Sequence, residues 1–319
     1  MFMNMFYSQL PLITSLVYSI CSMLFVAFFT LTERKMLGII QLRLGPEKSS
    51  ILGLFQSFAD MVKLFTKEAY TFQFMNKLIF TLSPIIFFFF ALLLWLVIPM
   101  DVMHHNLNSS MFLFMSILAV SSYPTLMAGW SSNSKYPLLG AFRSMAQSIS
   151  YEISLFIVIL SILICQSDFS LEKLQMLQME VWLLFPLLPL ALIWFVSILA
   201  ETNRTPFDFT EGESELVSGF NTEYAGNLFA LFFLGEYLFI LLISMITVFM
   251  FMNGVSMTSL TYGLKLIVVT YMFILIRATL PRYRYDMLMN IAWTTMLPVA
   301  LAIMALILAL TSWNLTYMM

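Results

Sequence analysis

The stretch LIFTLSPIIFFFFALLLWLVIPM, Leu78–Met100, decides the fold. A helix needs about 20 apolar residues to cross the hydrocarbon core of a bilayer, and this run supplies them. Backbone in lipid must satisfy its own N–H and C=O groups, so such a run is helical. Ser83-Pro84 sits in its first turns, where proline is tolerated. Working outward, the same texture fills the chain: 61% of 319 residues are hydrophobic and 10% charged, with a mean hydropathy of +0.92. A soluble domain is about half apolar and a quarter charged, so this is an all-α polytopic membrane protein. Further spans are expected at about 10–31, 111–130, 138–165, 181–200, 224–252, 258–276 and 288–311, making about eight transmembrane helices in one domain over 1–319. Tyr123-Pro124 predicts a kink, and Pro186, Pro189 and Pro298 are expected to bend their spans. Met1 to Gln9 carry no Lys or Arg, so the first run reads as a retained span rather than a leader.

Between the first two spans the pattern turns amphipathic. From Glu47 to Tyr70, Leu54, Phe55, Phe58, Met61, Val62 and Phe65 share one helical face, with Gln56, Asp60, Lys63 and Lys67 opposite. A helix of this kind lies along the membrane surface. It either packs on lipid with Asp60 solvated, or roofs a passage for a hydrophobic molecule.

Thirteen of the fifteen Lys and Arg residues fall in the 1–2, 3–4, 5–6 and 7–8 connections. By the positive-inside rule these face the negative compartment and both termini face away. The net charge of −2 points to no nucleic-acid partner. Cys21 and Cys165 lie in apolar runs, which argues against a disulfide or a thiolate metal site. His104 and His105 are adjacent, and there is no third histidine to hold a haem with them. No Gly-rich phosphate loop occurs, and no metal site is expected.

The 5–6 connection, AETNRTPFDFTEGESELVSGFNTE over 200–223, interrupts the apolar texture. Glu201, Asp208, Glu211, Glu213, Glu215 and Glu223 face a single base, Arg204, a local charge of about minus five. It is either a solvated loop or one that binds cations and partners. Glu152 lies mid-way along the fourth span and Glu236 near the middle of the sixth, where a charge costs at least about 2.5–3.5 kcal/mol. Together with the loop these carboxylates form a staggered series fit for a proton relay, or they tie helices together as hydrogen-bonded acids. Arg143 lies nine residues before Glu152, about 13 Å along a helix axis, too far for direct contact. Arg282 and Arg284, in Arg282-Tyr283-Arg284-Tyr285-Asp286, either pair with the acidic loop or only set topology.

Several of these blocks carry a resemblance: TERKMLG (32–38), QLRLGPEK (41–48), FADMVKLFTKE (58–68), AGWSSNSKYPLLGAFRSMAQSISYE (128–152), AETNRTPFDFTEGESELVSGFNTEY (200–224) and RATLPRYRYDMLM (277–289). The chain resembles the subunit 1 family of the proton-pumping NADH:ubiquinone oxidoreductase, respiratory complex I, in its mitochondrially encoded animal branch. The resemblance implies a multi-pass protein of the mitochondrial inner membrane, with both termini on the intermembrane-space side. Its partners would be other membrane and peripheral-arm subunits, ubiquinone and lipids. It implies a quinone tunnel lined by Arg34, Phe55, Phe58, Asp60 and Phe220. It also implies a proton or coupling route through Glu152, Glu201, Asp208, Glu211, Glu213, Glu215, Glu223 and Glu236, with Arg143, Arg204, Arg282 and Arg284 as charge partners. Ubiquinone would be the substrate, while NADH, FMN and the iron–sulfur clusters would belong to partner subunits, leaving this chain no redox centre or catalytic residue of its own. The competing readings are a proton-coupled transporter or antiporter, which lacks support from any internal repeat, a plain structural anchor, and the homologous membrane subunit of a membrane-bound hydrogenase.

Overall fold

The computed structural model describes residues 2–68, 73–95, 97–98, 109–166, 168–179, 181–210, 212, 217–254 and 259–318, with side chains described outside 2–16, 172 and 314–318. Helices in chain order are α1 Phe2–Ile40, α2 Gln56–Thr66, α3 Lys77–Trp95, α4 Ser110–Ser121, α5 Tyr123–Ser131, α6 Lys135–Gln166, α7 Leu171–Leu177, α8 Leu188–Glu201, α9 Gly226–Phe251, α10 Leu260–Thr279, α11 Tyr285–Asn290 and α12 Leu297–Met318. One turn of π-helix, Ile291–Met296, joins α11 to α12. Among the described residues there is no strand.

Among the described residues, six stretches are long and apolar enough to cross a membrane: Lys77–Trp95, Ser110–Ser131, Lys135–Gln166, Gly226–Phe251, Leu260–Thr279 and Tyr285–Trp313. The other two expected spans differ in form. The run at 10–31 is part of the 39-residue α1, which continues past Lys35, so Glu33 and Arg34 stand on a helix rather than in a loop. The run at 181–200 is helical only from Leu188, because Pro189 starts the helix instead of bending it. Residues 181–187 form a bend and turns, and Leu184 N–H is taken by the Phe251 carbonyl.

The other prolines act through the hydrogen bonds they remove. Tyr123-Pro124 separates α4 from α5, with the Ser122 N–H turning to the Val120 carbonyl. Pro84 cannot donate to the Phe80 carbonyl, which is taken instead by the Tyr224 hydroxyl at 3.2 Å and the Ser83 hydroxyl at 3.2 Å. The Tyr224 ring stacks on Phe80 with centroids 4.0 Å apart. The end of the acidic loop is thereby fixed to α3. The π-turn immediately precedes Pro298 and absorbs the register change that proline imposes.

Apolar helices gain nothing from hiding in one another when lipid is the solvent, so close packing and small residues set their contacts. A Cβ on Gly129 would lie 2.3 Å from the Ala141 Cβ and 2.7 Å from the Pro137 carbonyl oxygen, so α5 and α6 meet there backbone to backbone. Gly235 likewise admits the Phe87 ring of α3 against α9. Apolar on all sides, α9 is the central helix and packs against α1, α2, α3, α7 and α10. The second organiser is α6, which holds α5, α8, α12 and residues 219–223. α10 and α12 present mostly exposed apolar faces.

The connections gather at two ends. At one, the 5–6 loop meets the segment after α10 through Tyr283 N–H to the Pro206 carbonyl, 3.1 Å. At the other, the buried Gln178 side chain donates to the Phe249 and Met250 carbonyls, and the Lys265 ammonium to those of Met252 and Asn253, at 2.6–3.1 Å. These caps satisfy carbonyls that the C-terminus of α9 would otherwise orphan.

Candidate functional site

The functional end is organised by a carboxylate on α1. Glu33 is 5% exposed. Its Oε1 accepts from Arg204 at 3.1 Å and from Arg277, and its Oε2 accepts from the Tyr237 hydroxyl. The Arg204 guanidinium also lies over the Tyr237 ring, 4.3 Å from its centroid. The 5–6 loop, α1, α9 and α10 thus converge on one ion cluster. Burial alone would raise the Glu33 carboxyl, but the Arg204 and Arg277 charges and the hydrogen bonds hold it below the usual carboxylate range. Burial would lower Arg204, and the Tyr237 oxygen and Glu33 overcome this, leaving it raised.

Beside this cluster an apolar cavity of about 180 Å³ opens between α1, α2 and α9. Val26, Ala27, Met61, Leu64, Phe229 and Leu234 are among its walls, and the Arg34–Asp60 ion pair stands at its polar margin. Gln56 donates to the other Asp60 oxygen at 3.0 Å. A second cavity of about 90 Å³ is polar: Asn203, Arg204, Thr205, Asp208, Glu236, Tyr237 and Arg277 line it. A third, about 40 Å³, lies between Glu201 and Glu236 with Ser121, Ser122, Thr125, Ser144 and Ser148 around it. It exceeds the roughly 10–15 Å³ that one water needs. The three share walls: Phe233 borders the first and second, while Asn203 and Glu236 border the second and third. An apolar chamber, an ion cluster and a carboxylate-lined polar chamber therefore stand in series.

A family model described as NADH dehydrogenase matches residues 13–308. The NADH-ubiquinone oxidoreductase chain 1 of Anopheles gambiae is 47% identical over 297 residues, covering 93% of this chain and 94% of that protein. That of Aedes aegypti is 47% identical over 292 residues, with 92% and 93% covered. The koala, Phascolarctos cinereus, has one 46% identical over 296 residues, with 91% and 93% covered. The chain belongs to the NADH dehydrogenase family.

Within this NADH dehydrogenase-family fold, the residues singled out from the sequence divide clearly. Arg34 and Asp60 meet at the apolar cavity, and Glu201, Asp208 and Glu236 line the polar ones. Asp60 is a correction to the helical-face reading, since it points inward to Arg34 with Met61 and Leu64 while Phe55, Val62 and Phe65 are exposed. α2 is also shorter than Glu47–Tyr70, with Phe55 capping its start. Phe58 sits edge-on to Phe28 at 6.1 Å, outside the cavity lining. Phe220 is buried elsewhere, edge-on to Phe232 at 5.3 Å. Glu152 lines none of the three cavities but is an electrostatic neighbour of Glu201, and its Oε1 is buried without a hydrogen-bond partner among the described residues. Glu223 ends the 3₁₀ turn Gly219–Glu223, apart from the cavities. Arg282 pairs with Asp208 at 3.4 Å and reaches its carbonyl as well. Among the described residues Arg284 pairs with Asp286, at 3.1 Å on the surface, a local pair two residues along the chain. Arg143 acts electrostatically on Tyr285. Glu211, Glu213 and Glu215 lie outside the described residues, as do His104 and His105.

Glu33, Arg277 and Tyr237 were not among the candidates. Their available signals were faint: a carboxylate just past an apolar run, an arginine counted only for topology, and a tyrosine beside Glu236. The described residues contain no group of three or more His, Cys, Asp or Glu side chains able to hold a metal ion.

Proposed function

We propose that the chain is a membrane subunit of a proton-translocating NADH:ubiquinone oxidoreductase of the mitochondrial inner membrane. It receives ubiquinone in the α1–α2–α9 cavity and passes the consequence of its reduction inward through carboxylates. The supporting observation is the shared walls: Phe233 joins the apolar chamber to the ion cluster, and Glu236 joins that cluster to the Glu201 chamber. An apolar lining with a few placed charges is what a long hydrophobic substrate with a polar head requires. In this reading Val26, Met61, Leu64, Phe229 and Leu234 hold the apolar portion, and Arg34 and Asp60 set its polar end. Phe55 and Phe58 contribute to the tunnel mouth, Phe220 acts through its contact with Phe232 of α9, and Asp208, Glu211, Glu213, Glu215 and Glu223 supply the loop's share of the route.

Quinone reduction consumes two protons. The charge change is felt first by the Glu33–Arg204–Arg277 cluster, then by Glu236, Glu201 and Glu152 as coupled acids. Arg204, Arg282 and Arg143 hold the loop and its surroundings in register. The end of the bundle where the ion cluster joins α1, α9 and α10 to the 5–6 loop is read as the matrix side, with both termini facing the intermembrane space. NADH, FMN and the iron–sulfur clusters belong to partner subunits. Replacing Glu236 with Gln is expected to cut proton translocation by about 10²-fold, the size of a lost proton-transfer group. A pH-sensitive dye in sealed vesicles reading an unchanged rate in the assembled variant would remove Glu236 from the route.

A further inference from the structure

One face of α6 is devoted to the acidic loop. Gly140, Ser144, Gln147 and Tyr151 are spaced at four, three and four residues, so they line a single buried stripe of the helix. At the start of the stripe, a Cβ on Gly140 would lie 3.0 Å from the Gly219 Cα and 3.0 Å from the Phe220 nitrogen, so the distal end of the loop rests on bare backbone. Two turns on, Gln147 is 0% exposed, and its Nε2 donates to the Ala200 carbonyl at 2.7 Å and to the Phe207 carbonyl at 2.9 Å. Those two carbonyls bracket the segment 201–206 that contains Glu201 and Arg204. A turn further, the Tyr151 ring faces Phe207 with centroids 6.2 Å apart, and its hydroxyl donates to the Leu288 carbonyl at 3.1 Å. Glu152 follows at the next position. Loop and helix therefore meet along the full stripe.

We propose that Gln147 is a positioning residue that sets the register of the 5–6 loop on α6, so that a displacement of the loop at Arg204 is carried to the helix bearing Glu152. A buried amide with both its N–H groups spent on two carbonyls seven residues apart closes the 200–207 turn as a staple would. Each carbonyl also accepts a backbone N–H, from Asn203 at 3.2 Å and from Phe209 at 3.1 Å, so the amide ties two turns of the loop to α6. Gly140 is the complementary element: it admits the far end of the loop because it lacks a side chain. Gln147 lines neither polar cavity and is no part of the Glu33 cluster, and it acts through the loop it holds. This inference rests on the quinone and coupling reading for its consequence, and on geometry alone for the staple.

The test uses the assembled membrane complex carrying Gln147→Leu, with Gly140→Ala as an independent second variant. Backbone hydrogen exchange resolved by peptide is the first readout, and quinone reductase kinetics the second. For Gln147→Leu, exchange across 201–207 is expected to rise by at least about tenfold, because opening there no longer breaks the two bonds that close the turn. Ubiquinone KM should stay within about twofold while kcat falls, since quinone contacts are intact and the coupled step is slowed. Gly140→Ala should raise exchange across 217–223 instead. Gln147→Asn, which keeps the amide but falls short of both carbonyls, should resemble the Leu variant; unchanged exchange in Gln147→Leu and Gln147→Asn would overturn the staple. Should Gln147→Leu fail to assemble, Gln147→Asn and Gly140→Ala decide by the same exchange readout. Raised exchange with unchanged kcat would overturn the transmission to α6 while leaving the staple. Labelling of the α1–α2–α9 cavity by a photoreactive quinone reports separately on the reading beneath it.

Discussion

Replacing Glu33 with Gln is expected to cost about 3–5 kcal/mol, the usual penalty for removing one partner of a buried ion pair. The reason is what remains. Arg204 has a side chain only 13% exposed, and without Glu33 its charge is left with Tyr237 and the neighbouring Glu236 for support. Arg277 is 38% exposed and can turn to water, so most of the loss falls on Arg204. Because Glu33 stands on α1, Arg204 on the loop and Arg277 on α10, the change should loosen three elements at once. Thermal release of this subunit from the solubilised complex, followed on native gels, should come at markedly lower temperature. Replacing Arg284 with Gln provides the comparison: its pair with Asp286 is 78% and 68% exposed and should be worth close to nothing. Equal effects from the two substitutions would mean that the Glu33 cluster does not organise this end of the bundle.

The second large effect concerns the apolar cavity. Leu64 on α2 forms one wall, opposite Phe229 and Leu234 of α9. An indole at position 64 would project into this space of about 180 Å³ and fill part of it. Half-buried Leu64 also leaves an outward route for part of a larger side chain, so the fold should tolerate Leu64→Trp with a loss within the roughly 1–3 kcal/mol typical of overpacking. Ubiquinone reductase activity is expected to fall by at least about tenfold with a raised KM for quinone, while NADH oxidation by an artificial acceptor at the peripheral arm is unchanged. Unchanged quinone kinetics in the assembled variant would show that quinone reaches its donor by another path.

The helices were legible because lipid imposes a simple rule: long apolar runs without internal partners must be helical, and Lys77–Trp95 and Gly226–Phe251 follow it. Their ends were less so. At 181–200 composition runs through residues 181–187, yet Pro186 and Pro189 delay the helix to Leu188, a matter of backbone hydrogen bonding that hydropathy does not register. The orientation of α2 was also misjudged at Asp60. A helical wheel places a carboxylate on the wet face, whereas here an arginine 26 residues earlier in the chain, Arg34 on α1, draws it inward. Glu201, Asp208 and Glu236 could be found because a carboxylate in or beside an apolar run is costly enough to stand out. Glu33 and Gln147 could not, because their meaning lies in partners 171 and 53 residues away. Nothing in local sequence distinguishes a boundary glutamate from the hub of an ion cluster.

The most direct test of the central claim is photo-crosslinking of the native assembled complex with an azido-ubiquinone, mapped by peptide. Labels are expected on α2 around Ser57–Leu64 and on the facing α1 and α9 segments, lost when excess ubiquinone competes. Labels confined to other subunits, with this chain clean, would contradict it.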